Sequence, residues 1–474
     1  MPVRPFLLAG RPERSDRVHT VLAPWDGRPV AEIALAGPAH LERALAAAAE
    51  AAPRLAKIPA AERAAALERA RELLRERAED LVQAVVHEAG KPITLARLEV
   101  SRALDTLTDA AWAARSLGGS VEPLDAVSAG AGKVGFVRRV PAGPVAAITP
   151  FNFPVNLVLH KLAPAWAAGC PVILKPALET PTSALLLGGL LTEAGLPEGA
   201  LSVLPLEVGD ADPLVTDPRL RVLSFTGSVS VGWALHSRAR GRRVILELGG
   251  NAFNLVCEDA DLDAAIPKLA AGGLAYAGQS CISVQNVLAH RAVYEQVVQR
   301  LADRLRDAIR SGDPSDPAVL VGPVIRASDA DRIVRWIAEA VEGGARIVTG
   351  GGRSGNLVEP TLLVDLPEAC RVVDGEVFGP VINVLPFDTL NEAFARVNRS
   401  RFGLQASIFT RDLATVLRAH AELDVGAVVH DEASAYRIDN MPYGGVKDSG
   451  LGREGPRHAV LEYTEPRMLV LRTG

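Results

Sequence analysis

Three residues of this 474-residue chain sit in settings that invite chemistry: a cysteine, a glutamate and an asparagine. Cys281 lies in AGQSCISVQ (277–285), inside an uncharged but partly polar window from Leu269 to Ala289. Such a window suits the lining of a buried site better than it suits lipid. A thiolate is a strong nucleophile, and its formation needs a favourable local field. The other cysteines, Cys170, Cys257 and Cys370, read as small buried hydrophobes. Glu247 in LELGGN (246–251) ends a strand-like run beside two glycines, which permit close backbone approach. A carboxylate placed there can serve as a general base. Asn152 in TPFNFP (149–154) can donate its side-chain amide to a developing oxyanion, or simply cap the following helix.

Two further segments suit a phosphorylated cofactor. LKPALETP (174–181) sets Lys175 at a strand end, where an ammonium suits a ribose or phosphate. FTGSVSVG (225–232) sets Thr226-Gly227-Ser228 at a helix N-terminus, a natural pyrophosphate site, although ordinary capping explains it equally well. GAGKVG (130–135) matches G-x-G-x-x-G only formally. The dinucleotide fingerprint needs a strand before it and a helix after it; here SVEPLDAVSA and FVRRVPAG supply neither, so a turn between strands is expected.

Positioning these residues requires strand ends that face one crevice. Residues 39–117 read as helices, from apolar residues at three-to-four spacing, with a break at Gly90-Lys91-Pro92. From 144 onward short apolar runs alternate with helical segments: 144–149, 171–175, 201–205, 221–225 and 244–248. That alternation predicts βαβ units and an open parallel sheet, which binds ligands beyond its strands' C-terminal ends. A second α/β region runs from about 253 to 430, with strands at 253–257, 284–290, 346–350, 381–387 and 426–430. The segments 134–140 and 467–472 belong to neither region and are expected to pair as an edge or a subunit contact.

Composition narrows the partners. The length suggests two or three domains. With 48% hydrophobic and 23% charged residues the composition is ordinary for a globular, well-buried protein, and a net charge of −5 leaves no basic footprint for nucleic acid. Four scattered cysteines without a C-x-x-C pair suggest neither disulfides nor a metal site and suit a reducing, cytoplasmic setting. No secretory signal or membrane span is expected. Lysine is scarce, and the bias runs strongly to arginine.

Taken together, TPFNFP, KPA, FTGS, ELGGN, GQSC, EVFGPV (376–381) and PYGGVKDSGLGRE (442–454) resemble the aldehyde dehydrogenase superfamily, in order and spacing, over nearly the whole chain. The resemblance implies an α/β fold: a Rossmann-type parallel-sheet cofactor domain (1–119 with 141–250), a second α/β catalytic domain (251–435), and a small β oligomerisation element (120–140 with 436–474). It implies oxidation of an aldehyde to a carboxylate with NAD or NADP, by a homodimer or homotetramer. Cys281 would form a thiohemiacetal and then a thioester, with Asn152 and the Cys281 N–H as oxyanion hole. Glu247 would activate water, with Lys161 and Glu454 relaying its proton. The cofactor would meet Ile148, Thr149, Pro150 and Phe151 after one strand, and Lys175, Leu178 and Gly209 near its adenosine end. Phe225, Thr226, Gly227 and Ser228 would follow, then Leu248 and Gly249, with Glu376 and Phe378 at the nicotinamide ribose.

One departure bears on the cofactor. Many NAD-preferring members carry a glutamate where this chain has Leu178, with Glu179 one place later. The ribose 2′-hydroxyl thereby loses an acceptor, and a 2′-phosphate loses a repulsive neighbour. The ending and the cysteine segment look similar to members acting on lactaldehyde, semialdehydes or glyceraldehyde 3-phosphate. Asn286 replaces a basic residue common in such relatives, which weakens the phosphate reading. Arg437 either meets an anionic substrate or, more simply, is a surface arginine in an arginine-rich chain. The rival functions are a CoA-acylating semialdehyde dehydrogenase, which commonly lacks the ELGG glutamate, a cysteine hydrolase or acyltransferase based on His290, and a catalytically silent protein on the same fold.

Overall fold

The computed structural model describes residues 1–473. Its first large sheet runs, edge to edge, Gly450–Leu451, Arg243–Glu247, Val222–Thr226, Val145–Ile148, Val172–Lys175, Leu201–Val203, Phe6–Leu8 and Arg11–Glu13. The five strands from Arg243–Glu247 to Leu201–Val203 are parallel. Both flanks are antiparallel. The chain lays down Val145–Ile148 first, builds outward to Leu201–Val203, then returns to add Val222–Thr226 on the other side. The winding reverses between Val145–Ile148 and Val222–Thr226. Connections there leave in opposite directions and open a crevice beyond the strand ends, the usual ligand position in such sheets.

The second sheet runs Arg346–Thr349, Thr361–Val364, Val381–Phe387, Asn286–His290, Phe253–Val256, Gln405–Phe409 and Ala427–His430, parallel except at the first edge. Its strands are nearly continuous apolar runs, as burial on both faces requires.

The helical N-terminal region resolves into Pro38–Leu55, Ala60–Glu76, Ala78–Ala89 and Ile93–Ser116. The last break is the expected one, with Gly90 in a left-handed conformation (φ +63°). The helix Asn156–Ala168 is buried over its whole length, because it packs between Ile93–Ser116, Pro456–Glu462 and the first sheet. A fully buried helix must satisfy its polar residues internally, which bears directly on Lys161 and His160.

Lys133–Pro141 pairs antiparallel with Thr464–Arg472, joined by Ser120–Glu122, so the two unassigned segments do find each other. GAGKVG forms a turn: Gly130 closes a short 3₁₀ segment and Lys133 opens the strand. The strands Thr361–Val364 and Gln405–Phe409, and all strands before residue 35, were not expected from the pattern. Most are five residues or shorter, too brief for alternation to stand out. Among the described residues no helix is long and apolar enough to cross a membrane.

Candidate active site

A cleft of about 550 Å³ opens at the winding reversal and is lined by residues that follow strands of the first sheet and by residues that lead into strands of the second. Cys281 reaches it from the segment preceding Asn286–His290. That segment is sharply bent: Tyr276 and Ala277 have φ of +54° and +53°. Gly278 (φ +67°) passes so close to Gly379 that a Cβ would stand 2.2 Å from its carbonyl oxygen. Gln279 pins the bend, accepting from the Ile325 N–H (2.9 Å) and donating to the Tyr276 and Pro323 carbonyls (3.3 Å each).

The Gln279 carbonyl in turn accepts from Asn152 Nδ2 (2.9 Å). This contact fixes which way the Asn152 amide faces and leaves its second N–H unused. The Cys281 backbone N–H has no partner among the described residues. Two donors near the sulfur are therefore unspent. Cys281 Sγ itself lies 2.8 Å from the Tyr443 hydroxyl. Burial pushes the thiol up to about 12, while the Tyr443 contact and the Arg437 charge work the other way.

Behind the sulfur lies a charged core. Glu454 accepts from Lys161 Nζ (3.2 Å) through Oε1 and from Arg437 Nη2 (3.2 Å) through Oε2. Lys161 also donates to Ser224 Oγ at 3.0 Å. Burial opposes a charge on Glu454, but Lys161 and Arg437 outweigh it and hold the carboxyl well below the usual range. Glu247 differs: buried, with neither oxygen hydrogen-bonded, and raised well above the ordinary value by burial and by the Glu454 charge. Two carboxyls in one apolar enclosure thus take opposite states, one a secure anion and the other a proton holder. Buried orphan atoms are rare, and here Asn152 Oδ1, both Glu247 oxygens and Arg437 Nε all belong to residues lining one cleft.

The opposite part of the cleft suits a dinucleotide. Ser228 precedes the helix Val229–Arg238, and no side chain caps that helix, so its first N–H groups are available to an anion. Glu376 accepts from the Gly250 N–H (3.2 Å); a Cβ on Gly249 would fall 2.1 Å from its carboxylate. Burial raises Glu376 to about 7, against the pull of that N–H and of Arg332. Phe378, in a left-handed conformation (φ +47°), meets Phe151 edge to face at 6.1 Å.

The cleft thus gathers Cys281, Glu247, Asn152 and Glu454 with Pro150, Phe151, Thr226, Gly227, Ser228, Leu248, Gly249, Glu376 and Phe378. Lys161 stands one layer behind, through Glu454. Ile148, Thr149, Lys175, Leu178, Gly209 and Phe225 do not line it. Ile148 and Lys175 are register partners on neighbouring strands, and Thr149 donates to the Lys175 carbonyl (3.2 Å). Phe225 is buried against Gly227. The Leu178 carbonyl contacts His19 Nε2 at 3.0 Å, and Gly209 sits in the short turn Val208–Asp210. Asn286 is also away from the cleft, bonded to the carbonyls of Asn251 and Val373.

The simpler reading of Arg437, a surface arginine, is wrong. Its side chain is 9% exposed, pairs with Glu454 and stacks 3.7 Å over the Tyr443 ring. The segment 436–474, expected as an oligomerisation element, supplies Arg437, Tyr443 and Glu454 to the cleft. Tyr443 went unassigned although it lies in a quoted motif. Arg102, also lining the cleft, was missed; Asp439 holds it in a bidentate pair (2.8 and 2.9 Å), and Asp439 also contacts His160 (2.8 Å) and Asn156 (2.8 Å). Among the described residues no histidine lines the cleft. His290 packs edge-on against Phe387, so a cysteine hydrolase would lack its base.

Comparison with known proteins agrees with this geometry. The aldehyde dehydrogenase family model matches residues 11–469. A 3-sulfolactaldehyde dehydrogenase of Priestia aryabhattai is 41% identical, over 95% of this chain and 94% of its own length. Aldehyde dehydrogenase 21 of Physcomitrella patens, solved with the reaction product succinate, superposes with a TM-score of 0.97 at 39% identity, covering 99% of this chain and 98% of that one. The NADP-dependent glyceraldehyde-3-phosphate dehydrogenase of Bacillus halodurans, solved with NADP, gives 0.96 at 33% identity, covering 100% of both. The chain belongs to the aldehyde dehydrogenase family, and its reaction is the oxidation of an aldehyde to a carboxylate.

Proposed function

We propose that the substrate is a short aldehyde bearing a distal carboxylate or sulfonate, oxidised with NAD or NADP through a thioester on Cys281. The observation that carries this reading is Arg437: a buried guanidinium beside the nucleophile's own hydrogen-bond partner, with Nε unpaired in the cleft wall. Arg437 lines the cleft, and a fixed guanidinium in its wall attracts and orients an anion on the substrate. The named activities of two relatives agree in charge, since sulfolactaldehyde carries a sulfonate and succinate is a dicarboxylate.

The cleft fits a nicotinamide dinucleotide, which when bound accepts a hydride. Its uncapped helix N-terminus would take the pyrophosphate, and Glu376 with Phe378 would orient the nicotinamide end. Leu178 offers the ribose no carboxylate, and Glu179 is paired with Arg326, so nothing charged rejects a 2′-phosphate. Lys175, at its strand end, would meet the adenosine side.

Cys281 adds to the aldehyde carbon as thiolate. Asn152 Nδ2 and the Cys281 N–H receive the oxygen, each such donor contributing roughly 10²–10³ in rate. After oxidation the thioester carbonyl occupies the same hole. Glu247, whose raised proton affinity brings it toward working pH, takes a proton from the attacking water. Lys161 and Glu454 lie along the exit for that proton. The unpaired Glu247 carboxyl in the same cleft as the sulfur supports hydrolysis over transfer to CoA. The exposed run Met468–Leu471 beside Lys133–Pro141 would meet a second copy, giving a dimer or tetramer.

An aldehyde panel with both cofactors tests the substrate class, read by absorbance of reduced nicotinamide. Anionic aldehydes should exceed neutral ones of equal length in kcat/KM by at least tenfold, and Cys281→Ser should abolish turnover while retaining cofactor binding. Equal use of neutral aldehydes, or an active Ser variant, would overturn the reading.

A further inference from the structure

The hydroxyl of Tyr443 is 3% exposed as a residue, and its one hydrogen-bond partner is Cys281 Sγ, at 2.8 Å. A phenylalanine would fill the same space among Ile282 and Leu404 without placing a hydroxyl against a nucleophile. The backbone of Tyr443 is held on both sides. Its N–H donates to the Glu454 carbonyl (3.2 Å), and the Glu454 N–H donates back to its carbonyl (2.6 Å). One face of the ring carries the Arg437 guanidinium at 3.7 Å. The neighbouring Gly444 lies so near Glu247 that a Cβ would come within 3.0 Å of Oε1. The turn is therefore built between the nucleophile and both carboxyls: the bridge to Glu454 fixes its backbone, and burial with the Arg437 stack holds the phenol.

We propose that Tyr443 acts on the reaction directly, donating its hydroxyl proton in a hydrogen bond to the Cys281 thiolate, with Arg437 stacked on the ring to strengthen the donor. The proposal rests on Cys281 being the nucleophile. A hydrogen bond to neutral sulfur is weak, whereas one to a thiolate is charge-assisted. The contact therefore gains strength as the thiol loses its proton, and it favours the ionised form by that difference. A cation against the ring makes the phenol more acidic and a better donor. The ionisable groups acting on Cys281 are Glu247 and Glu376, which oppose a thiolate, and Tyr443 and Arg437, which support one. Burial is the largest opposing influence, so these two residues offset what the apolar enclosure imposes.

Site-specific alkylation decides the matter. Iodoacetamide reacts with the thiolate, and peptide mass spectrometry separates Cys281 from the buried Cys170, Cys257 and Cys370. The rate of Cys281 modification should be followed against pH in the wild type, in Tyr443→Phe, and with 3-fluorotyrosine incorporated at position 443. In Tyr443→Phe the rising limb of the rate–pH curve, and with it the midpoint, should shift up by about one to two pH units, the worth of one hydrogen bond to a charged group. The rate at neutral pH should fall at least tenfold. The fluorinated residue, a stronger donor of almost the same shape, should move the midpoint down. A side chain that only packs would move neither. Unchanged midpoints in both variants, with Cys281 still the site whose modification kills activity, overturn the proposal while leaving the nucleophile intact. Loss of Cys281 without loss of activity would instead strike the assignment of the nucleophile. Should Tyr443→Phe fold poorly, the fluorotyrosine shift alone decides, upward or null results counting against.

Discussion

Replacing Arg437 with methionine removes the charge while keeping much of the side chain's length, and the structure sets the size of the effect. A guanidinium offers five N–H donors. Arg437 commits Nη2 to Glu454 at 3.2 Å and leaves Nε buried and unpaired. A carboxylate or sulfonate taking one charge-assisted hydrogen bond gains about 1.5–3 kcal/mol. That is roughly a 10- to 150-fold effect on binding, since about 1.4 kcal/mol is tenfold. The substitution has a second consequence, because Glu454 then keeps only Lys161 as a charged partner and the proton exit is weakened for every substrate. The two effects separate in a ratio. Steady-state kcat/KM should be measured for succinic semialdehyde and for butanal, which lacks the distal charge, in both enzymes. The relay defect lowers both values and cancels, and the anion preference should fall by at least tenfold. A ratio unchanged within threefold would refute a substrate-binding role, leaving Arg437 as a partner of Glu454 and Tyr443 alone.

Replacing Glu247 with glutamine should spare the first half-reaction, giving a burst of about one reduced nicotinamide per active subunit, then a slow rate with thioester accumulating on Cys281 by mass spectrometry. In the wild type the steady rate should rise with pH, because the base works only when deprotonated and its pKa is displaced upward; an acid limb at the ordinary carboxylate pKa would contradict this. The Lys91–Glu99 pair is fully buried, and Glu99 also accepts the N–H groups of Val155 and Asn156, so Lys91→Met should cost roughly 3–5 kcal/mol in denaturant unfolding; a loss under 1 kcal/mol would show that the backbone donors suffice. Sedimentation at micromolar concentration should give a dimer or larger, and aspartates at Leu469 and Leu471 should dissociate it; an active wild-type monomer would contradict the assembly.

Most of the parallel strands were legible because they are short apolar runs spaced by helical segments, though Thr361–Val364 and Gln405–Phe409 were not, and the nucleophile was legible because its window is uncharged yet polar. Arg437 was not legible, since one arginine among many carries no mark of burial until Glu454 and the Tyr443 ring are brought to it. Tyr443 reads as an ordinary core aromatic; only the approach of Cys281, 162 residues earlier, gives its hydroxyl a purpose. Lys91 read as part of a helix break, and its pairing with Glu99 and its stacking over Phe153 at 3.7 Å belong to tertiary packing. The antiparallel strands Phe6–Leu8 and Gly450–Leu451 are too short to show a period and exist because the parallel sheet offers them partners.

The pairing of Leu451 with Leu246, and of Glu454 with Lys161, has a bearing on biosynthesis. The cysteine and the strand Arg243–Glu247 leave the ribosome long before residues 437–454 do. Until that tail arrives, the strand's outer edge has no partner, and an unpaired apolar edge is a template for association between chains. The Lys161–Glu454 contact spans 293 positions, and non-local closures of this kind are slow to form. A nascent or prematurely terminated chain ending near residue 435 would contain both parallel sheets and the nucleophile and yet be inert and prone to aggregate. Such fragments should be held by chaperones and cleared by proteases, so that inactive enzyme does not accumulate as a cofactor-binding competitor.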